Sequence, residues 1–445
     1  MTAYDYTLEA LLARDGFDDG CGRLHRAGIA DALIGSRTIE RLPDAVSRLG
    51  GTKPFILADA NTWKAAGERA AAILSAARIE FNKFIFADAA VEPDERAVGS
   101  LMMNYDYSCD VIIGVGSGVI NDLGKLLAAL TGHEYIIVAT APSMDGFASA
   151  TSSMSRAGLK VSLPTKCASI VIGDTDILSA APAEMLAAGV GDMAAKYISL
   201  CEWKLSHIIT GEYYCPTIAA IVRSALDEVS ANATGLAARD PGAVGSVMRG
   251  LTLAGIAMNY AGLSRPASGV EHYFSHVWDM RGLEFGTPVS LHGLQCGVAT
   301  LLSLKIYERI ARIKPDRERA LAYVRDFDLD AWFERLRGFL GRGAETMIAA
   351  EAKDGKYDIA KHRGRLERII SRWDEIIAEI KALPSADKVE ALLRTVGAPT
   401  TPEELGQSPE VVKLSFLAAK DIRDKYVAPR LLWDLGELDD IAWEK

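Results

Sequence analysis

The stretch Val111-Ile-Ile-Gly-Val-Gly-Ser-Gly-Val-Ile-Asn-Asp-Leu-Gly-Lys125 decides the fold. Val111 to Val115 is a short apolar run that reads as a buried strand ending in glycines. Val119 to Leu130 reads as a helix. Glycines between such a strand and helix let the backbone approach a pyrophosphate. The helix N-terminus then offers free N–H groups and a positive dipole end. The turn Gly116-Ser117-Gly118, followed by Val119, Ile120, Asn121 and Asp122, is therefore a candidate dinucleotide cradle. The competing reading is a tight strand-to-helix turn with no ligand.

The flanking segments repeat the pattern. Pro54 to Asp59 reads as a strand, Thr62 to Arg78 as an Ala-rich helix, and Asn82 to Ala87 as another apolar run. Tyr135 to Val138 and Ser169 to Ile172 are further strand candidates. Short apolar runs alternating with helices imply βαβ units and a parallel sheet covered on both faces. Thr140-Ala-Pro-Ser-Met-Asp-Gly-Phe-Ala-Ser149 follows one of these strands. It is rich in hydroxyls and lies where open α/β sheets bind ligands. Asp59 ends another strand, where a carboxylate can bond the adenosine ribose and repel a 2′-phosphate. That leans towards NAD over NADP. Asp59 could equally cap the following helix.

Beyond Pro182 helical periods dominate, as in Leu366, Ile369, Ile370, Trp373, Ile377 and Ile380. The block from Lys305 to Glu390 mixes both charges and reads as a solvated helical face. The expected organisation is an α/β nucleotide-binding domain over 1–183 and an all-helical domain over 184–445.

The chain has 445 residues, 49% of them hydrophobic, and a net charge of −10. This composition excludes wholesale disorder, and the acidic balance argues against nucleic-acid binding. No apolar run is long enough for a membrane span. Met1 to Gly16 carries Asp5, Glu9 and Asp15 and lacks the pattern of a signal peptide. The six cysteines form no Cys-x-x-Cys pair and read as reduced thiols, mostly buried, of a cytoplasmic protein.

Three segments of the helical half could hold a metal. Gly189-Val-Gly-Asp192 opens or interrupts a helix, with Lys196 one turn later. Glu271-His272-Tyr-Phe-Ser-His276 sets two histidines on one helix face. Leu291-His292-Gly293 precedes another helix. Asp192, His272 and His292 would make an oxygen-nitrogen site suited to zinc, nickel or iron, with positions open for substrate. They could also be three unrelated polar residues. His25, His133, His207 and His362 read as surface or hydrogen-bonded side chains.

The motifs GVGSGVINDLGK, TAPSMDGFAS, AGVGDMAAKY, SRPASGVEHYFSH and LHGLQCG together resemble the iron-containing alcohol dehydrogenase and dehydroquinate synthase-like superfamily. Within it they most resemble the sn-glycerol-1-phosphate dehydrogenase family, from about Lys53 to Gly297. The charge-rich stretch near 342–372 departs from that family's pattern. The resemblance implies that Gly118 to Asp122, Thr140, Ala141, Pro142, Ser143 and Ser149 contact NAD. It implies that Asp145 and His276 contact substrate. Asp192, His272 and His292 would be the metal ligands, with Asp192 also touching substrate. The implied reaction is reversible hydride transfer between NAD(P)H and dihydroxyacetone phosphate, giving sn-glycerol 1-phosphate. One zinc or nickel ion, with iron the other option, would polarise the carbonyl. His276 or a water could return the proton. Lys125, Lys160, Lys196 and Arg265 are candidates for the substrate phosphate. A homodimer or higher homo-oligomer is expected on family grounds. The alternatives are a glycerol or other polyol dehydrogenase and a dehydroquinate synthase-type lyase.

Overall fold

The computed structural model describes residues 6–441 apart from 15, 89, 90 and 158. Asp5 and Asp15 of the acidic N-terminal stretch lie outside the described residues. Six strands form one sheet: β1 (Asp31–Gly35), β2 (Pro54–Asp59), β3 (Asn82–Phe86), β4 (Val111–Gly116), β5 (Glu134–Ala139) and β6 (Ile170–Asp174). Their order is β1-β6-β5-β4-β2-β3, and every pair is parallel. The inner strands are buried along nearly their whole length, which is why they read as unbroken apolar runs. Ile56, Ile113, Val115, Ile136, Val138 and Ile172 share one core cluster under the covering helices.

Beyond the sheet, the helices that matter for function are α1 (Gly118–Thr131), α2 (Ala183–Ala194), α3 (Lys196–Thr210) and α4 (Pro241–Ala261). They continue with α5 (Val270–Phe285), α6 (His292–Ile310), α7 (Ile359–Ser371) and α8 (Trp373–Lys381). Among the described residues no strand follows β6, and no helix is long and apolar enough to cross a membrane.

Several local readings change. The predicted helix over Thr62 to Arg78 contains a π-type turn at Trp63–Gly67, where a side chain on Gly67 would collide with the Trp63 ring. Gly189 and Asp192 lie within α2, and the break comes at Ala195. A Cβ at Gly189 would strike the Pro142 carbonyl, so glycine serves close packing there. Leu366 to Ile380 spans two helices, α7 and α8, broken at Arg372. Three strand features were not anticipated, one of them the short ribbon of Phe17–Asp18 with Leu24–His25. The edge strand β1 is short and half-buried, and the antiparallel ribbon Thr151–Arg156 with Leu159–Pro164 is largely polar.

The chain divides into two compact units. The first comprises 1–193, 217–264 and 395–397; the second comprises 194–216, 265–394 and 398–445. The sheet, α1, α2 and α4 belong to the first. Helices α3 and α5 to α8 belong to the second.

Candidate active site

In the first unit the chain runs outward from β2 to β3 and then crosses to β4 on the other side of β2. That reversal makes the carboxyl ends of β2 and β4 the switch point where such sheets bind ligands. Asp59 ends β2, and Gly116-Ser117-Gly118 joins β4 to α1.

The glycines of this motif divide their work. Side chains at Gly114 or Gly124 would collide with Tyr135, and one at Gly116 would meet Ile120. Gly118 faces open space, with only Met144 Cγ at 3.7 Å from a built Cβ. Ser117 gives α1 no side-chain cap, so the first-turn amides keep their donors for a ligand.

The Thr140 to Ser149 loop is bonded onto this turn. Thr140 N donates to Gly116 O at 3.1 Å. Ser117 Oγ lies 2.6 Å from Ser143 Oγ and donates to Ala141 O at 3.3 Å. Asn121 Nδ2 and Lys125 Nζ each donate to Gly146 O at 3.0 Å, and Ser149 Oγ donates to it at 3.2 Å. Asn121 Oδ1 is buried and without a protein partner. A cofactor amide or hydroxyl would satisfy it, so these residues fit a dinucleotide. Asp122 pairs with Lys125 at 3.1 Å, and burial pushes its carboxyl above the usual range. Asp145 N donates to Asp192 Oδ2 at 2.8 Å, tying the loop to α2 within the same unit. Asp59 Oδ1 accepts from Asn61 N and Thr62 N, each at 2.8 Å, so the helix cap is present.

In the second unit α5 and α6 converge. His272 and His292 have ring centroids 5.0 Å apart, and His276 lies 6.3 Å from His292. Cys296, one turn into α6, joins them: its sulfur and the two histidines' ligand nitrogens lie within 4.8 Å of one another. His272 Nδ1 meets Glu271 Oε1 at 2.8 Å, and His292 Nδ1 meets Ser275 Oγ at 2.9 Å. With Nδ1 engaged, each ring turns Nε2 outward as a ligand atom, as metal-binding histidines do. The donor set therefore fits a divalent metal. Burial would raise the Cys296 thiol, but His272 and His292 outweigh it and hold the thiol below its usual range.

Behind His272 sits a buried pair of carboxylates. A Cβ at Gly269 would lie 2.6 Å from Glu202 Oε2 and 2.7 Å from Glu271 Oε2. Glu202 accepts from Val270 N, Ala428 N and Tyr307 Oη, each at 2.8 Å. Burial first, and the neighbouring Glu271 second, push its carboxyl up to about 7. Sequence reasoning missed Glu202 because no motif marks it. Cys296 had a signal: it stands four residues after His292, one turn on.

Of the basic candidates for a substrate phosphate, three are engaged by the protein. Lys125 is bound as above and also reaches Thr151 O. Lys196 Nζ donates to Ala267 O at 3.1 Å. Arg265 forks onto Glu212 and donates to Tyr426 O at 3.0 Å.

The profile of the iron-containing alcohol dehydrogenase family matches residues 33–182. The chain is 30% identical over 421 residues to a glycerol-1-phosphate dehydrogenase (NAD(P)+) of Halalkalibacterium halodurans, covering 94% of this chain and 95% of that one. It is 33% identical over 279 residues to the enzyme of the same name from Methanosarcina mazei, covering 62% and 76%. A probable glycerol dehydrogenase from Sinorhizobium meliloti shares the fold, with a TM-score of 0.59 at 18% identity over 93% of this chain and 97% of that one. On the full-length match the chain belongs to the glycerol-1-phosphate dehydrogenase family, within the iron-containing alcohol dehydrogenases.

Proposed function

We propose that this chain interconverts dihydroxyacetone phosphate and sn-glycerol 1-phosphate with NAD(P)H, NAD being the favoured form. Asp192, His272 and His292 would hold one zinc or nickel ion, and the working enzyme would be a cytoplasmic homo-oligomer. The observation that carries the reading is the pair His272 and His292, each with its Nδ1 already engaged by Glu271 or Ser275.

When bound, the nicotinamide supplies the hydride and the metal supplies Lewis-acid charge at the carbonyl oxygen. The uncapped amides of α1 and the hydroxyls of Ser117 and Ser143 would take the pyrophosphate. Asn121 Oδ1 and Ser149 would orient the cofactor's polar groups. Asp59 would read the adenosine ribose. Asp145, held by its amide on Asp192, would contact the substrate hydroxyls. His276 stands one turn beyond His272 on α5 and would return the proton to the reduced oxygen.

The test is NADH oxidation with dihydroxyacetone phosphate after stripping metal and restoring zinc or nickel separately. Metal-dependent oxidation, with no turnover of unphosphorylated dihydroxyacetone, is expected. Oxidation of NADH by the unphosphorylated ketone alone would move the assignment to a polyol dehydrogenase.

A further inference from the structure

A second group of metal-ligating side chains lies within the first unit, at its N-terminal ribbon. Phe17–Asp18 pairs with Leu24–His25, and the loop between them brings Asp19 and Cys21 beside His25. His25 Nε2 lies 3.1 Å from Cys21 Sγ and 3.3 Å from Asp19 Oδ1. The three ligand atoms lie within 4.8 Å of one another. Two ligands at about 2.0–2.3 Å from a tetrahedral ion stand roughly 3.4–3.6 Å apart, close to these spacings.

The hydrogen bonding narrows the chemistry. His25 Nδ1 faces the Tyr260 carbonyl at 2.9 Å. A carbonyl only accepts, so Nδ1 carries the proton and a neutral ring turns its Nε2 lone pair towards Asp19 and Cys21. An imidazole lone pair, a carboxylate oxygen and a sulfur thus converge on one point. The His25 and Asp19 side chains there are 0% and 6% exposed. A buried carbonyl behind the far nitrogen is the usual support of a histidine that binds metal.

The loop backbone suits a ligand knuckle. Gly20 and Gly22 take φ of +82° and +87°, flanking Cys21, and Cys21 N donates to Asp19 Oδ1 at 3.1 Å. We propose that Asp19, Cys21 and His25 bind a second divalent, thiophilic metal ion, zinc by donor chemistry. The ion would have a structural role. It would lock the ribbon to the C-terminal end of α4, where Arg23 Nη1 also donates to Ala261 O at 2.6 Å.

Zinc content per full-length chain tests this, measured after dialysis against a limiting zinc buffer. The parent should hold two equivalents and Cys21→Ser one, with NADH oxidation kept. Cys21 is chosen because His25 is fully buried, and its replacement could fail for reasons of folding alone. His292→Ala should lose the other equivalent, so failure of the catalytic centre and failure of this site read out separately. Cobalt loading in a Cys296→Ser background should give thiolate-to-cobalt absorption that Cys21→Ser weakens by about twofold or more. Zinc content and absorption unchanged by Cys21→Ser would overturn the proposal.

Discussion

His292 begins α6, bonds Ser275 through one nitrogen and stands over His272 with the other ring face. Its replacement by alanine should abolish turnover and remove bound metal while leaving the circular-dichroism spectrum intact. Turnover at saturating substrate equal to the parent would refute its role. Asp59 has two roles that one substitution can separate. Asp59→Gly should raise the NADPH-to-NADH ratio of kcat/KM, because a carboxylate that repels a 2′-phosphate is gone. It should also cost a few tenths of a kcal/mol to about 1 kcal/mol in stability, because the cap on Asn61 and Thr62 is lost. Lower stability with an unchanged ratio would leave Asp59 as a cap alone. At this scale the sequence shows residue types but not partners. Helical spacing singles out His272 and His276, yet Glu202 reaches the same place from α3 across a distance in sequence that no local pattern encodes.

The elements of the sheet were legible where burial is two-sided. β2 and β4 match the apolar runs that mark them, since parallel inner strands hide both faces. β1 escaped because Asp31 and Gly35 at its ends leave only Ala-Leu-Ile between them, whereas the other edge strand, β3, keeps a Phe-Ile-Phe run. The polar ribbon after Ser149 likewise lacks an apolar run. The glycine signature was read for phosphate, whereas Gly114 and Gly124 make room for Tyr135. Close packing also explains Gly189 in α2. Gly189→Ala would drive a methyl into the Pro142 carbonyl and push the Thr140 to Ser149 loop off the helix. It should cost roughly 1–3 kcal/mol in urea unfolding and raise the KM for NADH. A gain in stability, as expected of an ordinary exposed helical glycine, would show that the loop is not seated on α2.

At the scale of the molecule, pH acts through its buried carboxyls. Glu202 sits at about 7 in the fold against an ordinary 4.5. The folded state therefore binds this proton more tightly than the unfolded chain. The stability it contributes is full below pH 4.5 and is lost as pH rises towards 7. Glu202→Gln, whose neutral amide stands in for the protonated carboxyl, should flatten the fall of the melting temperature across that window. A parallel fall in parent and variant would show that Glu202 is not the titrating group. The change from α/β to all-helical architecture after Pro182 was legible from composition. The membership of each compact unit was not, because units follow contacts and the chain returns to the first one after leaving it.

That return matters during synthesis. Helix α4 carries Asn259, whose side chain bonds Ala27 O at 2.8 Å and Ala148 O at 2.7 Å. The ribosome has made every strand of the sheet by residue 174, yet the helix that clasps both the N-terminal ribbon and the Thr140 to Ser149 loop ends only at Ala261. The nascent sheet must wait for all the chain between β6 and the end of α4 before that clasp can close. Until then β6 also lacks the Met248 side chain of α4, which packs against Gly173.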